Sequence, residues 1–181
     1  MMTGTAMMIM RMTKMMIKTI AIFCACIILS ADTAEDYARD RAWFSMTEEQ
    51  RQNCSIEYKA RACGMTVEEF DLMSRTVEAE SDRSDNLEGR VLIALTILNR
   101  VSSGEWPDSI TGVITQDGQF QVYEDGVIWS VGRTTLSDQA VIEAHARLAT
   151  GEAPNVMFFN NSGYGYGTPY AYEGGNYFVT V

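Results

Sequence analysis

The chain has 181 residues, of which 46% are hydrophobic and 21% charged, with a formal net charge of −10. That length suits one domain with a sizeable core, and the acidic balance repels phosphate backbones, which argues against nucleic acid as a partner. His145 is the single histidine, so a zinc peptidase or zinc amidase would lack its usual two or three imidazole ligands, and no metal or other cofactor is expected.

Arg11, Lys14 and Lys18 form a basic stretch, Thr19 to Leu29 is unbroken and apolar, and Ser30-Ala31 are small. This is the layout of a secretory signal, and an apolar run of about eleven residues is short for a bilayer span. Residues 1–34 are therefore expected to act as a signal peptide or a retained signal anchor, which would place the rest of the chain outside the cytoplasm. An anchor would also give membrane association through this segment. Without residues 1–34, eleven basic residues face 23 acidic ones.

Residues 35–65 read as a charged helical extension of one or two helices. Thr47-Glu48-Glu49-Gln50 resembles a capping box and Gly64 a C-terminal stop. On one continuous helix Cys54 and Cys63 would face opposite ways, and the sequence leaves their pairing open. The main domain is expected over 66–181. Thr66-Val67-Glu68-Glu69 is a second capping box, opening a helix to Val77 or beyond. The polar loop Ser81 to Asn86 follows. Leu87 to Val101, apolar on nearly every side, reads as a buried helix between Asp85-Leu87-Glu88 and Ser102-Ser103-Gly104. "QFQVYEDGVIWSV" reads as a hairpin around Asp125-Gly126. Ser137 to Ala149 is an amphipathic helix closed by Gly151. "NVMFF" and "NYFVTV" read as strands flanking a Gly/Tyr-rich loop, with Gly174-Gly175 turning into the last. The fold class is thus α+β, a helical core with a short, mostly C-terminal antiparallel sheet.

Serine-histidine catalysis would have to use His145, yet no Gly-x-Ser-x-Gly elbow exists. Neither Cys54 nor Cys63 has a recognisable nucleophile setting, and "GYGYG" has no lysine and leads into Thr-Pro rather than a helix. Carboxylate chemistry remains. Phe70, Met73 and Val77 form the apolar stripe of the helix from Val67, and one further step of three reaches Glu80. Glu78 lies about 100° from Val77 and about 200° from Glu80, which predicts a solvent-facing position, with a role as an alternative acid the lesser reading. Glu80 ends the stripe at the helix C-terminus, where apolar surroundings and the negative dipole end both disfavour its charge. A carboxyl group still protonated near neutral pH suits general acid catalysis at a glycosidic oxygen. The competing expectation is that Glu80 frays into a solvated acidic loop with Asp82 and Asp85.

These residues resemble the cell wall hydrolases typified by the spore-cortex-lytic enzymes. The resemblance rests on Val77-Glu78-Ala79-Glu80, Ile97-Leu98-Asn99-Arg100-Val101, Trp106-Pro107, Ile110, Val113-Ile114 and Gly118-Gln119-Phe120, with looser matches at "VMFFNN" and "GGNYF". It covers about residues 68 to 181. It implies peptidoglycan as the partner, a lysozyme- or lytic-transglycosylase-like helical core, and cleavage between N-acetylmuramic acid and N-acetylglucosamine, often as a lytic transglycosylase. The family's catalytic acid falls on Glu80. The chain departs at Ser81, where alanine is usual, in a loop to Gly89 about one residue longer, and at Asn176-Tyr177, where many members carry a histidine.

A transglycosylase needs no second carboxylate, whereas a muramidase-type hydrolase does, and Glu88 is its candidate, with helix capping as its other reading. Arg100, a candidate substrate-binding residue, is expected to hold the loop carboxylates or the neighbourhood of Glu80 by charge-assisted bonds, or to compensate its helix dipole. Gln119 is a candidate for an N-acetyl group, and Phe120 for the core. Tyr164, Tyr166, Tyr170 and Tyr172 present apolar faces with hydroxyl rims to a saccharide groove, while Tyr177 sits in a strand. The rival from another class is a non-catalytic peptidoglycan-binding or assembly protein on the same fold. No protein partner is legible.

Overall fold

The computed structural model describes Thr47, residues 54–81 and residues 85–181. The leader, the Thr47-Gln50 capping box and Asp82 lie outside the described residues or at their margin. Within them are seven helices and three strands: α1 (Ile56–Ala62), α2 (Val67–Glu80), α3 (Leu87–Ser103), α4 (Ile110–Ile114), α5 (Gln121–Glu124), α6 (Val127–Val131), α7 (Thr135–Ala149), β1 (Val156–Asn160), β2 (Thr168–Glu173) and β3 (Asn176–Thr180). The α+β expectation holds. No described helix is long and apolar enough to cross a membrane.

Helix α3 is the centre. Every residue from Gly89 to Arg100 is buried, as an all-round apolar helix requires. Asn86 caps it, its Oδ1 accepting from the Gly89 N–H at 2.8 Å, and Gly104 ends it at φ 74°. Helix α2 opens with the full Thr66/Glu69 capping box. It buries Phe70, Met73 and Val77 completely. Helix α1 is part of the same body: Ala60 and Cys63 lie in the core, and Lys59 Nζ meets Asp138 Oδ2 of α7 at 2.7 Å. Cys54 precedes α1 and Cys63 caps its end, so the two do not share one continuous helix.

The sheet is antiparallel, in the order β1-β3-β2. Gly174 and Gly175, both at positive φ (54° and 77°), make the two-residue link between β2 and β3. Two left-handed residues give the turn whose twist matches a hairpin. In that hairpin Glu173 faces Asn176 and Tyr172 faces Tyr177.

Two expectations are corrected. Residues 119–131 are not a hairpin: α5 and α6 fill the segment, and Gly126 at φ 71° is the N-cap of α6. The Asp-Gly pair ends one short helix and begins the next, while Phe120 and Ile128 reach the core. Tertiary packing has overridden the turn signal. The Gly/Tyr-rich segment also holds a strand, β2, hidden in the sequence because Pro169 and exposed tyrosines break the alternation of an ordinary half-buried strand.

Candidate active site

Glu80 is the last residue of α2. The side chain is half-buried. Its carboxyl pKa is raised from 4.5 to about 7 by burial. Removing water disfavours the charged form, and among the described residues no cation compensates. The group is therefore close to half protonated at neutral pH.

The backbone at Glu80 is held from the sheet. Asn176 Nδ2 donates to the Glu80 carbonyl at 3.2 Å, satisfying one of the carbonyls that a helix end leaves open. Asn86, across the polar loop, donates through Nδ2 to Glu173 Oε2 at 2.9 Å. Gly89 lies so close that a Cβ there would sit 3.1 Å from Gly174 Cα. The β2–β3 turn is thus seated on the junction of α2 and α3.

Glu78 requires a correction. It is buried, at 6% exposure, and not a surface charge. Arg90 grips it at both oxygens, Nε to Oε2 and Nη2 to Oε1, each 3.1 Å. Thr134 Oγ1 donates to Oε2 at 2.7 Å. Helix α2 is buried on more than its apolar stripe: it also buries Ser74, Thr76 and Glu78 because other helices surround it. Glu78 is neutralised by its partner, and Glu80 is not.

Asn86, not Glu88, caps α3, and the Glu88 carboxylate is committed to an ion pair. Its two oxygens take a forked contact from Arg147 of α7, at 2.7 and 2.8 Å. The hydrogen bonds that Arg147 donates to Glu88 chiefly push the Arg147 pKa further up.

Among the described residues Arg100 holds no loop carboxylate. It is buried at 5% exposure, and its Nε donates to the Met157 carbonyl at 2.9 Å. Its guanidinium stands 4.2 Å from the Trp106 ring centroid, with Phe158 at 5.4 Å and Phe120 at 5.5 Å. Aromatic faces favour the cation, yet burial brings its pKa down to about 10. Arg100 ties α3 to β1. Gln119 is half-buried, and Phe120 is core at 1% exposure. His145 is half-buried on α7, its pKa lowered by desolvation. Asp85 is exposed.

Tyr166 is 79% exposed, and Tyr164, Tyr170 and Tyr172 are also exposed. Tyr172 packs on Tyr177 at 4.5 Å between centroids and Tyr164 meets Tyr177 edge-on at 5.0 Å. Tyr166 stands edge-on to Phe158 at 5.9 Å. Residues 160–172 contain no charged side chain. The outcome is a set of neutral, hydroxyl-bearing aromatic side chains on β2 and on the loop before it.

Among the described residues no cluster of His, Cys, Asp and Glu could hold a metal ion. The sequence profile of the cell wall hydrolases matches residues 84–178, more than half of the chain. The chain belongs to that family. The profile begins after Glu80, so family membership and the role of Glu80 rest on different observations. The chain is 38% identical over 66 residues to the spore cortex-lytic enzyme of Oceanobacillus iheyensis, covering 36% of this chain and 24% of that protein. It is 35% identical over 81 residues to the spore cortex-lytic enzyme of Bacillus subtilis strain 168, covering 45% and 26%. The chain therefore spans about a quarter of the length of these curated relatives. In three dimensions it is similar to the catalytic domain of the Bacillus cereus SleB protein, with TM-score 0.53, 25% identity and coverage of 64% of this chain and 91% of that one. It is also similar to the catalytic domain of the germination-specific lytic transglycosylase SleB from Bacillus anthracis, at TM-score 0.53 and 26% identity, covering 65% and 98%.

Proposed function

We propose that this family member cleaves the glycan strand of peptidoglycan between N-acetylmuramic acid and N-acetylglucosamine, as a lytic transglycosylase acting outside the cytoplasm. The observation that carries this reading is the Glu80 carboxyl, raised to about 7 by burial, with no compensating cation among the described residues. Protonated Glu80 donates to the glycosidic oxygen as the bond from the muramic anomeric carbon breaks. The carboxylate so formed takes the proton of the muramic 6-hydroxyl as O6 bonds to that carbon. A 1,6-anhydro ring closes, no water is consumed, and Glu80 regains its proton. One residue serves as acid and then as base, a use that a pKa near the working pH suits in both directions.

The commitment of Glu88 to Arg147 favours this over a hydrolase that relies on Glu88 for a second carboxylate. The saccharide is held by the neutral tyrosine side chains, with Tyr164, Tyr166, Tyr170 and Tyr172 offering ring faces to pyranoses, and by the Gln119 amide at an N-acetyl group. The relatives named for spore cortex and for lytic transglycosylase action support the substrate class.

The test is digestion of purified sacculi by the wild type and by Glu80→Gln, with mass spectrometry of what is released. Anhydro-muramic ends from the wild type and none from the variant are expected, while both proteins still bind sacculi. Reducing ends would indicate a hydrolase, free stem peptides would refute glycan cleavage, and sacculi bound but never lysed by the wild type would indicate a binding module.

A further inference from the structure

The two ends of the polar loop after α2 are held by one rung of the β2–β3 hairpin. At one end Asn176 Nδ2 donates to the Glu80 carbonyl at 3.2 Å. At the other, Glu173 Oε2 accepts from Asn86 Nδ2 at 2.9 Å. Glu173 and Asn176 are direct cross-strand partners, so their Cα atoms are fixed about 5 Å apart whatever the loop between the helices does. The rung itself is seated: the Gly174-Gly175 turn adopts a backbone that side chains disfavour, and Gly89 of α3 lets that turn approach within about a Cβ contact. Asn86 at the same time caps α3 through Oδ1. Both helix ends and the hairpin therefore share one hydrogen-bonded frame, with Asn176 buried in it.

We propose that Glu173 and Asn176 are positioning residues for Glu80: their rung fixes the end of α2 and so the direction of the Glu80 carboxyl, without either residue touching the reacting atoms. This rests on the reading of Glu80 as the acid. Geometry of this kind is worth a great deal, because a displacement of about 1 Å at a reacting group costs on the order of 10²-fold in rate.

Asn176→Leu keeps the branched shape, at a larger volume, and removes the donor. It is expected to lower kcat by about 10- to 100-fold with KM within about twofold, and to return the titration midpoint of the Glu80 carboxyl, followed by carbon NMR, toward that of an ordinary glutamate as the freed helix end admits water. Should Asn176→Leu fail to fold, the partly exposed Glu173 provides the second variant. Glu173→Ala is expected to lower kcat in the same way. Glu173→Gln, whose carbonyl oxygen still accepts from Asn86, is expected to restore most of it. An unchanged kcat with an unmoved midpoint would overturn the inference. So would a Glu173→Gln enzyme as slow as Glu173→Ala, since the charge and not the acceptor would then be required, marking Glu173 as a second carboxylate in the reaction. If the wild type releases no glycan fragments while Asn176→Leu still moves the Glu80 midpoint, the rung stands and the glycan-cleavage reading falls.

Discussion

Glu78 and Glu80 are two residues apart on one helix and meet opposite fates. Arg90 and Thr134 surround the Glu78 carboxylate with donors, whereas Glu80, among the described residues, receives only burial. A pKa raised in the folded state means that folding favours the protonated form. The stability that Glu80 contributes is therefore fully present below its unfolded value near 4.5 and is lost as pH rises through about 7. Glu80→Gln, uncharged at all pH values, should match the wild type near pH 4 and exceed it at pH 8. The gap should be on the order of 3 kcal/mol, opening between those two pKa values and levelling above. Denaturant midpoints measured across that range check the sign. A carboxyl that costs stability at neutral pH is what a functional site retains and a structural one does not. The apolar spacing Phe70, Met73, Val77 made Glu80 legible in the sequence. Glu78 was not legible, because one helix's periodicity does not disclose how many neighbours surround it.

Helices α2 and α3 are joined by the Glu78–Arg90 pair, in which the side chains are 7% and 3% exposed. Both charges are out of water, and removing Arg90 takes two donors from the buried Glu78 carboxylate. Arg90→Ala should destabilise the fold by about 3–5 kcal/mol. Arg90→Ala combined with Glu78→Leu should recover most of that loss, and thermal melts of the single and double variants distinguish this from simple loss of packing. The elements with strong local signals read correctly from sequence: the Thr66/Glu69 capping box, the all-round apolar α3 and the Gly174-Gly175 turn. Those that failed carry a local signal that tertiary packing overrides, or none. Asp125-Gly126 serves a helix junction as readily as a hairpin, and β2 forms only because β3 offers it an edge. The contact from Arg147 to Glu88 spans 59 residues of sequence, so no motif near Glu88 announces its partner.

At the scale of the whole molecule, the helices supply a buried scaffold, and the sheet with the loop before β2 supplies both the neutral tyrosines and the brace on Glu80. Composition alone favoured carboxylate chemistry by removing imidazole and phosphate-loop alternatives, and the order of short motifs along the chain pointed to the family. What the sequence withheld is how the last strands close back on the first helices, since Asn176 and Glu80 are 96 residues apart. The raised pKa of Glu80 is a property of that complete assembly and should vanish when it is dismantled. The decisive measurement is the titration of the Glu80 carboxyl by carbon NMR, assigned by comparison with Glu80→Gln, in the folded protein and again in denaturant. The account predicts a midpoint near 7 when folded and near 4.5 when unfolded. A folded midpoint near 4.5 would contradict it, because the proton proposed for transfer would already be gone at neutral pH.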